Sequence, residues 1–225
     1  MDSQAPSVRS DILKKLKPSQ NLLAVSKLQP PEKIKHLYSQ GQIHFGENYV
    51  QEALKKITEL SSSAIQWHLI GPLQKNKVKL LKNHFAYIHS VDSIELAQLI
   101  SEKSLEAQHQ QKCFLQVNLS GEESKSGFTE AELFQQWEQL KALKGLCIVG
   151  LMTMPPLENE PEKNRSYFRK LKSIGDTLSL SEFSMGTSQD YIVALEEGST
   201  WIRLGTLLFG ERETTQKTSN ESRIP

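Results

Sequence analysis

Short apolar runs alternate with amphipathic stretches eight times along this chain, and this alternation constrains the fold more than any other feature. The runs have the length and composition of buried parallel strands, and the stretches between them have the spacing of amphipathic helices. The predicted strands are 22–26, 43–45, 65–70, 87–91, 113–119, 146–152, 182–185 and 201–204. Because eight strand–helix units close most simply on themselves, the sequence predicts an α/β fold, a single (β/α)8 TIM barrel.

An open, doubly wound sheet is the alternative for a chain of alternating strands and helices. Such a sheet usually carries a G-x-G-x-x-G phosphate-binding turn directly after its first strand. This chain has Ser26-Lys27-Leu28-Gln29 at that place. The missing glycines favour the closed barrel.

The composition is typical of one globular domain. The 225 residues are 37% hydrophobic and 24% charged, which is sufficient for one substantial core. A net charge of +1 gives no reason to expect nucleic acid or a charged membrane as a partner. We predict a barrel domain over residues 1–210 and a polar, flexible tail over 211–225.

Two further features predict a cytoplasmic protein. The first nine residues are polar and lack the apolar core of a signal peptide, and no apolar run reaches the ~18 residues of a membrane span. Cys113 and Cys147 lie far apart in apolar surroundings. Buried, reduced thiols are therefore expected, without a disulfide or a metal site.

Local patterns predict several details of the helices. A lead helix over 8–17 should place Ile12, Leu13 and Leu16 on one face. A helix over 73–83 should present its lysines to solvent. Thr129 and Glu132 have the spacing of a capping box at the start of a later helix.

A lysine, Lys27, directly follows the first predicted strand. A strand-end lysine can extend into solvent, or it can be held in a pocket. In a pocket, burial lowers the lysine pKa and favours the neutral amine, which attacks carbonyl carbons. Lys27 is therefore a candidate for a Schiff base with an aldehyde.

The last two strand exits have the pattern of a phosphate site. Ser188 precedes a helix as a natural N-cap, and Gly205-Thr206 opens a short helical turn. Helix N-termini attract anions, and loops after strands seven and eight of TIM barrels commonly hold a phosphate. The alternative is that Ser188 is only a cap and Gly205 only a turn.

Arg203 is a charged residue within an otherwise apolar strand close to these exits. A buried arginine stays charged and needs a hydrogen-bond acceptor. The acceptor is either a carboxylate, such as Glu47 or Asp190, or a ring nitrogen of a bound cofactor. His68, inside the third strand, is similarly either a hydrogen-bonded structural histidine or a residue on the cofactor side.

Lys27, Arg203 and the two exits become neighbours when the barrel closes, because its first and last strands then pair. Together they offer an amine for an aldehyde, a donor for an aromatic nitrogen and a cup for a phosphate. Pyridoxal 5′-phosphate (PLP) carries all three groups on one small molecule. We therefore predict PLP as the cofactor.

Seven stretches, spread over most of the chain, support the prediction of a PLP-binding protein. They are Ala24-Val25-Ser26-Lys27, Phe45-Gly46-Glu47-Asn48-Tyr49-Val50-Gln51-Glu52, Trp67-His68-Leu69-Ile70-Gly71-Pro72-Leu73-Gln74-Lys75-Asn76-Lys77, Ser124-Lys125-Ser126-Gly127, Gly150-Leu151-Met152, Ser184-Met185-Gly186 and Arg203-Leu204-Gly205-Thr206. In order and in content they resemble the pyridoxal phosphate homeostasis proteins of the YggS/PROSC family, whose barrel is of the alanine racemase N-terminal type. The chain departs from the family at Thr187, where a methionine is usual, and in a shorter segment before the first strand.

The resemblance implies a cofactor site without catalytic residues or metal ligands. It implies Lys27 as the Schiff-base lysine, Arg203 facing the pyridine nitrogen and Asn48 near the ring. It also implies that Ser188, Gly205 and Thr206 surround the phosphate.

The function implied is binding of PLP and participation in its intracellular homeostasis, by buffering or delivery, with an indirect effect on amino-acid and keto-acid pools. Alanine racemases add a second domain with a catalytic tyrosine, and this chain ends about where that domain would begin. Arginine also leaves the pyridine nitrogen unprotonated, which makes the ring a weaker electron sink. We therefore predict no enzymatic turnover, a monomer, and apo PLP-dependent enzymes as partners.

Two alternatives stay open. The first is a slow PLP-dependent amino-acid racemase or transaminase that uses Lys27 as its only base. The second is a barrel that binds another phosphorylated metabolite without a Schiff base.

Overall fold

The structure, a computed structural model, describes residues 7–61, 64–122, 125–156 and 160–210. Strands and helices alternate throughout these residues. The strands are β1 (Asn21–Val25), β2 (His44–Glu47), β3 (Gln66–Leu69), β4 (Tyr87–Val91), β5 (Gln111–Gln116), β6 (Leu146–Met152), β7 (Glu182–Ser184) and β8 (Trp201–Leu204). The α-helices are α1 (Val8–Leu13), α2 (Pro31–Ser39), α3 (Val50–Glu59), α4 (Ile94–Glu106), α5 (Glu130–Lys141), α6 (Arg165–Thr177), α7 (Tyr191–Glu196) and α8 (Thr206–Phe209). Two 3₁₀ helices cover Lys75–Leu80 and Pro161–Asn164.

The eight strands form one closed parallel barrel in chain order. β1 closes it by pairing with β2 on one side and β8 on the other, so that Ala24 lies opposite both Phe45 and Leu204. The predicted (β/α)8 barrel is therefore confirmed, and the open doubly wound sheet is excluded. The carboxyl ends of all strands meet at one rim, where TIM barrels carry their sites.

Side chains of the strands alternate between the barrel interior and the surrounding helices, as the two-residue strand period requires. Leu23, Phe114, Met152 and Trp201 pack together in the interior. Their neighbours in sequence, such as Ala24, belong to the larger core between strands and helices. The interior also contains polar side chains, which the site is built from.

Local sequence signals set several helix starts. The side chain of Thr129 accepts from the N–H of Glu132, and the Glu132 carboxylate accepts from the N–H of Thr129. This is the predicted capping box, and it begins α5. Ser93 begins α4 by accepting from the N–H of Leu96.

Two predicted helices differ from the structure. α1 ends at Leu13, which is exposed. The N–H groups of Lys15 and Leu16 donate to carbonyl oxygens three residues before them, which is a tighter turn than the α-helix. Ile12 is the buried residue of that helix. The predicted helix over 73–83 is the shorter 3₁₀ helix, with Lys75, Lys79 and Lys82 exposed as expected.

Cys113 and Cys147 are free thiols; Cys113 is buried and Cys147 half-buried. Within the described residues, no helix has both the length and the apolar character needed to cross a membrane. The same residues contain no cluster of three or more candidate metal ligands. The predicted tail over 211–225 lies outside the described residues, and the division of the chain at residue 210 stays a prediction.

Candidate functional site

Lys27 lies two residues beyond the end of β1, at the carboxyl rim of the barrel. It follows Leu23 and Val25 at two-residue spacing, and Leu23 packs in the barrel interior. Lys27 itself is half-buried. The amine predicted to react is therefore at the barrel mouth and in the phase of the inward-facing residues.

The backbone on both sides of Lys27 is held by a buried polar network. Lys56 Nζ donates to the carbonyl oxygen of Ser26 at 2.7 Å, and Ser26 Oγ donates to Glu47 Oε1 at 2.5 Å. The N–H of Leu28 donates to Glu52 Oε1 at 2.6 Å. Leu28 has a φ of +60°, which is uncommon for a leucine. These bonds fix the turn that carries Lys27.

Lys56 is the centre of this network. Its Nζ lies 2.8 Å from Glu47 Oε1 and 2.7 Å from Glu52 Oε1. Glu47 is fully buried and Lys56 nearly so. Burial raises the pKa of Glu47, and the charge of Lys56 opposes that rise. The predicted second strand ends at residue 45, whereas β2 continues to Glu47.

Arg203 is buried inside the barrel, and its hydrogen-bond partners are neutral. Nη1 donates to Ser184 Oγ at 2.7 Å, and Nη2 donates to the carbonyl oxygen of Thr153 at 3.0 Å. Burial lowers the pKa of Arg203 to about 10 against the opposing charge of Asp190, so the guanidinium is charged at neutral pH.

The two carboxylates considered as partners for Arg203 form other hydrogen bonds. Glu47 pairs with Lys56, and Asp190 accepts from Asn164 Nδ2 at 2.8 Å and from Thr187. The carboxylate alternative for Arg203 is therefore wrong, because the guanidinium donates to Ser184 and Thr153 and to neither carboxylate. Arg203 is a buried cation that the described side chains do not neutralise by direct contact.

The exit of β8 has the predicted form, whereas the exit of β7 does not. Gly205 precedes α8 and Thr206 is its first residue. Ser188 is not an N-cap, since α7 begins at Tyr191 with Asp190 before it. The reason is that Asp190 accepts from the N–H and Oγ1 of Thr187, which closes a turn around Ser188.

Both exits nevertheless present backbone donors. In the described part of the chain, the N–H groups of Ser188, Gln189, Thr206 and Leu207 make no hydrogen bond. The two exits are joined because the N–H of Arg203 donates to the carbonyl oxygen of Gly186 at 3.0 Å. Unpaired N–H groups at the start of helical turns are the groups that bind anions in many proteins.

Gly186 is required at the β7 exit. Its φ is +92°, and a Cβ there would lie 2.5 Å from the Cβ of Ala194. Any other residue would force the turn away from α7 and disturb the carbonyl that holds Arg203.

Asn48 directly follows β2 and is half-buried. It lines a cavity of about 320 Å³ at the barrel mouth, together with Ile70, Gln116 and Met154. This volume is within the ~300–1,000 Å³ of small-molecule sites. The cavity lies at the ends of β2, β3, β5 and β6. The other residues predicted to bind the cofactor lie in or directly after β1, β7 and β8, on the other side of the mouth.

A line of hydrogen-bonded side chains crosses the interior below Arg203. His44 Nδ1 lies 3.0 Å from His68 Nε2, and His68 Nδ1 lies 2.9 Å from His89 Nε2. His89 Nδ1 lies 2.7 Å from Ser184 Oγ, the atom that accepts from Arg203. His68 is fully buried and hydrogen-bonded, as its structural interpretation predicts. His44 and His89 escape prediction, although each is an inward-facing polar residue within an apolar strand.

Comparison with known proteins defines the class of protein. Residues 9–213 match the family described as the alanine racemase N-terminal domain, and the chain belongs to that family. Within it, the chain belongs with the pyridoxal phosphate homeostasis proteins. It is 43% identical over 198 residues to the one from Aquifex aeolicus, covering 85% of this chain and 87% of the relative. It is 42% identical over 215 residues to the one from Synechocystis, covering 92% and 99%.

Solved structures agree with this placement. PipY of Synechococcus elongatus without PLP superposes with a TM-score of 0.87 at 39% identity, covering 90% of this chain and 98% of PipY. PipY with PLP bound superposes with a TM-score of 0.86. An alanine racemase from Clostridium difficile gives a TM-score of 0.76 at 17% identity, covering 92% of this chain and 56% of the racemase. That last likeness concerns the fold alone.

Proposed function

We propose that this protein binds PLP at the carboxyl rim of its barrel and takes part in intracellular PLP homeostasis, by holding the cofactor and passing it to apo PLP-dependent enzymes. Membership of the homeostasis family supports this role. PipY, a solved relative of 39% identity, is recorded with PLP bound. We further propose that the protein is cytoplasmic and that it is a monomer. Light scattering of the purified protein would test the monomeric state.

The observation that carries the proposal is Arg203. A buried cation with two neutral partners is costly unless a further acceptor or anion lies nearby. The open N–H groups of the β7 and β8 exits supply an anion site at the same end of the barrel. A ligand with a ring nitrogen and a phosphate would satisfy Arg203 and these N–H groups together, and PLP is such a ligand.

Each predicted residue then has a distinct part in holding PLP. Ser188, Gly205 and Thr206 would hold the phosphate, Arg203 would donate to the pyridine nitrogen, and Asn48 would lie near the ring. Lys27 would hold the aldehyde end of PLP through its amine nitrogen Nζ. Bound PLP supplies the electrophilic aldehyde and an electron-withdrawing ring.

We also propose that the protein has no appreciable turnover. The charged guanidinium of Arg203 leaves the ring nitrogen without a proton, and the ring then stabilises a carbanion less well. A racemase or transaminase would instead turn over D- or L-amino acids above a Lys27→Ala control. Turnover of that kind would assign the protein to the enzyme alternative.

Whole-protein mass spectrometry tests the binding proposal directly. Purified protein is mixed with equimolar PLP, unbound PLP is removed by desalting, the absorbance of the protein is recorded, and one portion is reduced with borohydride. We expect an absorbance band near the visible edge, its loss on reduction, and a mass increase equal to one reduced PLP. Absence of both the band and the adduct would favour a barrel for another phosphorylated metabolite.

Arg203→Gln should change the spectrum of the bound cofactor more than its affinity. Glutamine keeps a hydrogen-bond donor but removes the positive charge, so the pyridine nitrogen can accept a proton. Absorbance of the loaded protein and equilibrium dialysis measure the two effects separately. Arg169→Gln, on the exposed face of α6, is the matched control. An unchanged spectrum in Arg203→Gln would contradict the position assigned to the ring.

A further inference from the structure

The side chains of His44, His68, His89, Ser184 and Arg203 form what we call the interior relay. It enters from β2, passes through β3 and β4, and crosses the barrel to β7 and β8. One end is Arg203, near the proposed cofactor site. The other end is His44, which borders a cavity of about 420 Å³ lined also by Asn21, Tyr87 and Glu182.

Arg203 and the single proton of Ser184 together favour one direction for the hydrogen bonds in the relay. A guanidinium donates and never accepts, so Ser184 Oγ must accept from it. Ser184 Oγ keeps a second lone pair, but its own proton needs an acceptor, and His89 Nδ1 is the other hydrogen-bond partner of this hydroxyl among the described residues. The Ser184 hydroxyl therefore donates to His89 Nδ1 while the histidines are neutral. His89 must carry its own proton on Nε2 and donate it to His68 Nδ1. By the same rule, His68 Nε2 donates to His44 Nδ1.

We propose that, while His44 is neutral, Arg203 and Ser184 hold all three histidines of the interior relay as neutral Nε2–H tautomers, and that protonation of His44 is transmitted through the relay to the hydrogen bond that holds Arg203. His89 and Ser184 are then positioning residues for Arg203. None of them needs to touch the cofactor.

The surroundings of the relay support neutral histidines. His68 and His89 are fully buried, and burial holds the pKa of each well below its ordinary value, with the charge of Arg203 adding to the effect at His89. His44 is half-buried, and burial lowers its pKa as well. Because His44 alone borders the lower cavity, it is the residue that takes up a proton as the pH falls.

Several titratable or charged groups face the two ends of the relay. At the lower end, Glu182 from β7 and Tyr87 from β4 border the same cavity as His44. Lys112 from β5 lies over the Tyr87 ring, with Nζ 5.3 Å from its centre. Glu182 accepts from the indole N–H of Trp201 at 2.7 Å, which keeps its carboxylate in place. At the upper end, the charge of Asp190 acts on Arg203.

Protonation of His44 reverses the relay. Protonated His44 donates from both ring nitrogens, so Nδ1 no longer accepts from His68. His68 and His89 each move their proton from Nε2 to Nδ1, and His89 then donates to Ser184 Oγ. Ser184 now accepts from both His89 and Arg203, and its own O–H turns elsewhere. One proton enters at His44, and no other change in protonation is needed.

The reversal alters the acceptor that Arg203 binds. Ser184 Oγ shares its lone pairs between two donors, so its bond to Arg203 weakens. One consequence rests on the proposed function: the hydrogen bond from the guanidinium to the pyridine nitrogen should differ in geometry between low and neutral pH. The relay itself can be tested without PLP.

Nitrogen-15 NMR of the histidine rings, on the full chain without added PLP at neutral pH, tests the tautomers. We expect His44, His68 and His89 each to show a protonated Nε2 and an unprotonated Nδ1. His36→Gln, a change of an exposed histidine outside the barrel, should leave these signals in place and helps to assign them. An Nδ1–H tautomer at any of the three histidines would overturn the proposal.

A pH titration of the same sample tests the coupling. The side-chain N–H signals of Arg203 should shift with the midpoint measured for His44. In Ser184→Ala, the Arg203 signals should no longer follow that midpoint, because the hydroxyl that joins the two halves is gone. Arg203 signals that ignore the His44 midpoint in the unmodified protein would refute the coupling, even if Ser184→Ala fails to fold. Failure of PLP binding would instead show in the mass experiment and leave both NMR results unaffected.

Discussion

Lys27→Ala should fold normally but gain no mass from PLP after borohydride reduction. The substitution removes the one amine assigned to the aldehyde, and no imine can then form at this site. The turn itself should survive, because Ser26 and Leu28 are held through their own backbone and side-chain bonds to Lys56, Glu47 and Glu52. We expect the free energy of unfolding to change by no more than about 1 kcal/mol.

The affinity of Lys27→Ala for PLP should fall without vanishing. The phosphate exits and Arg203 are unchanged, so anchored binding without a covalent bond persists. We expect a loss of at least about tenfold, or ~1.4 kcal/mol. Equilibrium dialysis measures this residual non-covalent binding of PLP, and inorganic phosphate added as a competitor should displace the bound PLP.

Lys35→Ala is the matched control, since Lys35 is an exposed lysine on α2, near the same end of the sequence. It should keep the reduced adduct at full yield. An adduct that persists in Lys27→Ala would move the Schiff base to another lysine. Peptide mapping of that adduct would then identify the lysine and refute the assigned site.

The barrel could be predicted because its determinants are local and periodic. Each strand is an apolar run, and each helix repeats its apolar residues at helical spacing, so the number of units follows from the pattern. Capping residues such as Thr129 bind groups within four residues of themselves, so they too can be predicted from the sequence. The positions of Lys27, Gly205 and Thr206 at strand ends follow from the same count.

The exact start of α7 could not be predicted, because two residues of capping type compete there. Ser188 and Asp190 both favour helix starts. α7 begins after Asp190, whose carboxylate accepts from Asn164 of the preceding 3₁₀ helix and from Thr187 and does not cap α7. The contact with Asn164 joins residues 26 positions apart, so no local sequence pattern predicts it.

The partners of the buried charged residues could also not be predicted from the sequence. Lys56 lies three residues after Ala53, on the buried face of α3, which marks it as unusual. The sequence does not reveal that Glu47 ends its strand facing this lysine. The interior relay likewise depends on His89 of β4 meeting Ser184 of β7 across the barrel. Such contacts depend on closure and register, which no single segment encodes.

Lys56→Met should be the most destabilising single change near the site. Methionine matches the length of the lysine stem but leaves the fully buried Glu47 without its cation. Removing one partner of a buried ion pair costs about 3–5 kcal/mol. Urea unfolding of the full chain measures the loss. Lys55→Met, one residue earlier and exposed, should stay within about 0.5 kcal/mol of the unmodified protein.

The pH dependence of Lys56→Met identifies Glu47 as the cause. Burial raises the pKa of Glu47 in the folded state, and loss of Lys56 removes the charge that opposes this rise. A folded-state pKa above the unfolded value makes the protein more stable at low pH and less stable as the pH rises through it. The deficit of Lys56→Met should therefore be large at about pH 8 and smaller at about pH 5.

Glu47→Gln combined with Lys56→Met should recover much of the lost stability, because no unpaired charge is then buried. Recovery of the fold need not restore the site. Lys56 Nζ also holds the carbonyl oxygen of Ser26, so the turn that carries Lys27 stays loosened in the double variant. We expect slower formation of the reduced PLP adduct in this variant than in Lys55→Met, at equal folded fraction. Equal rates would show that Lys56 serves only stability, and a deficit independent of pH would exclude Glu47 as its origin.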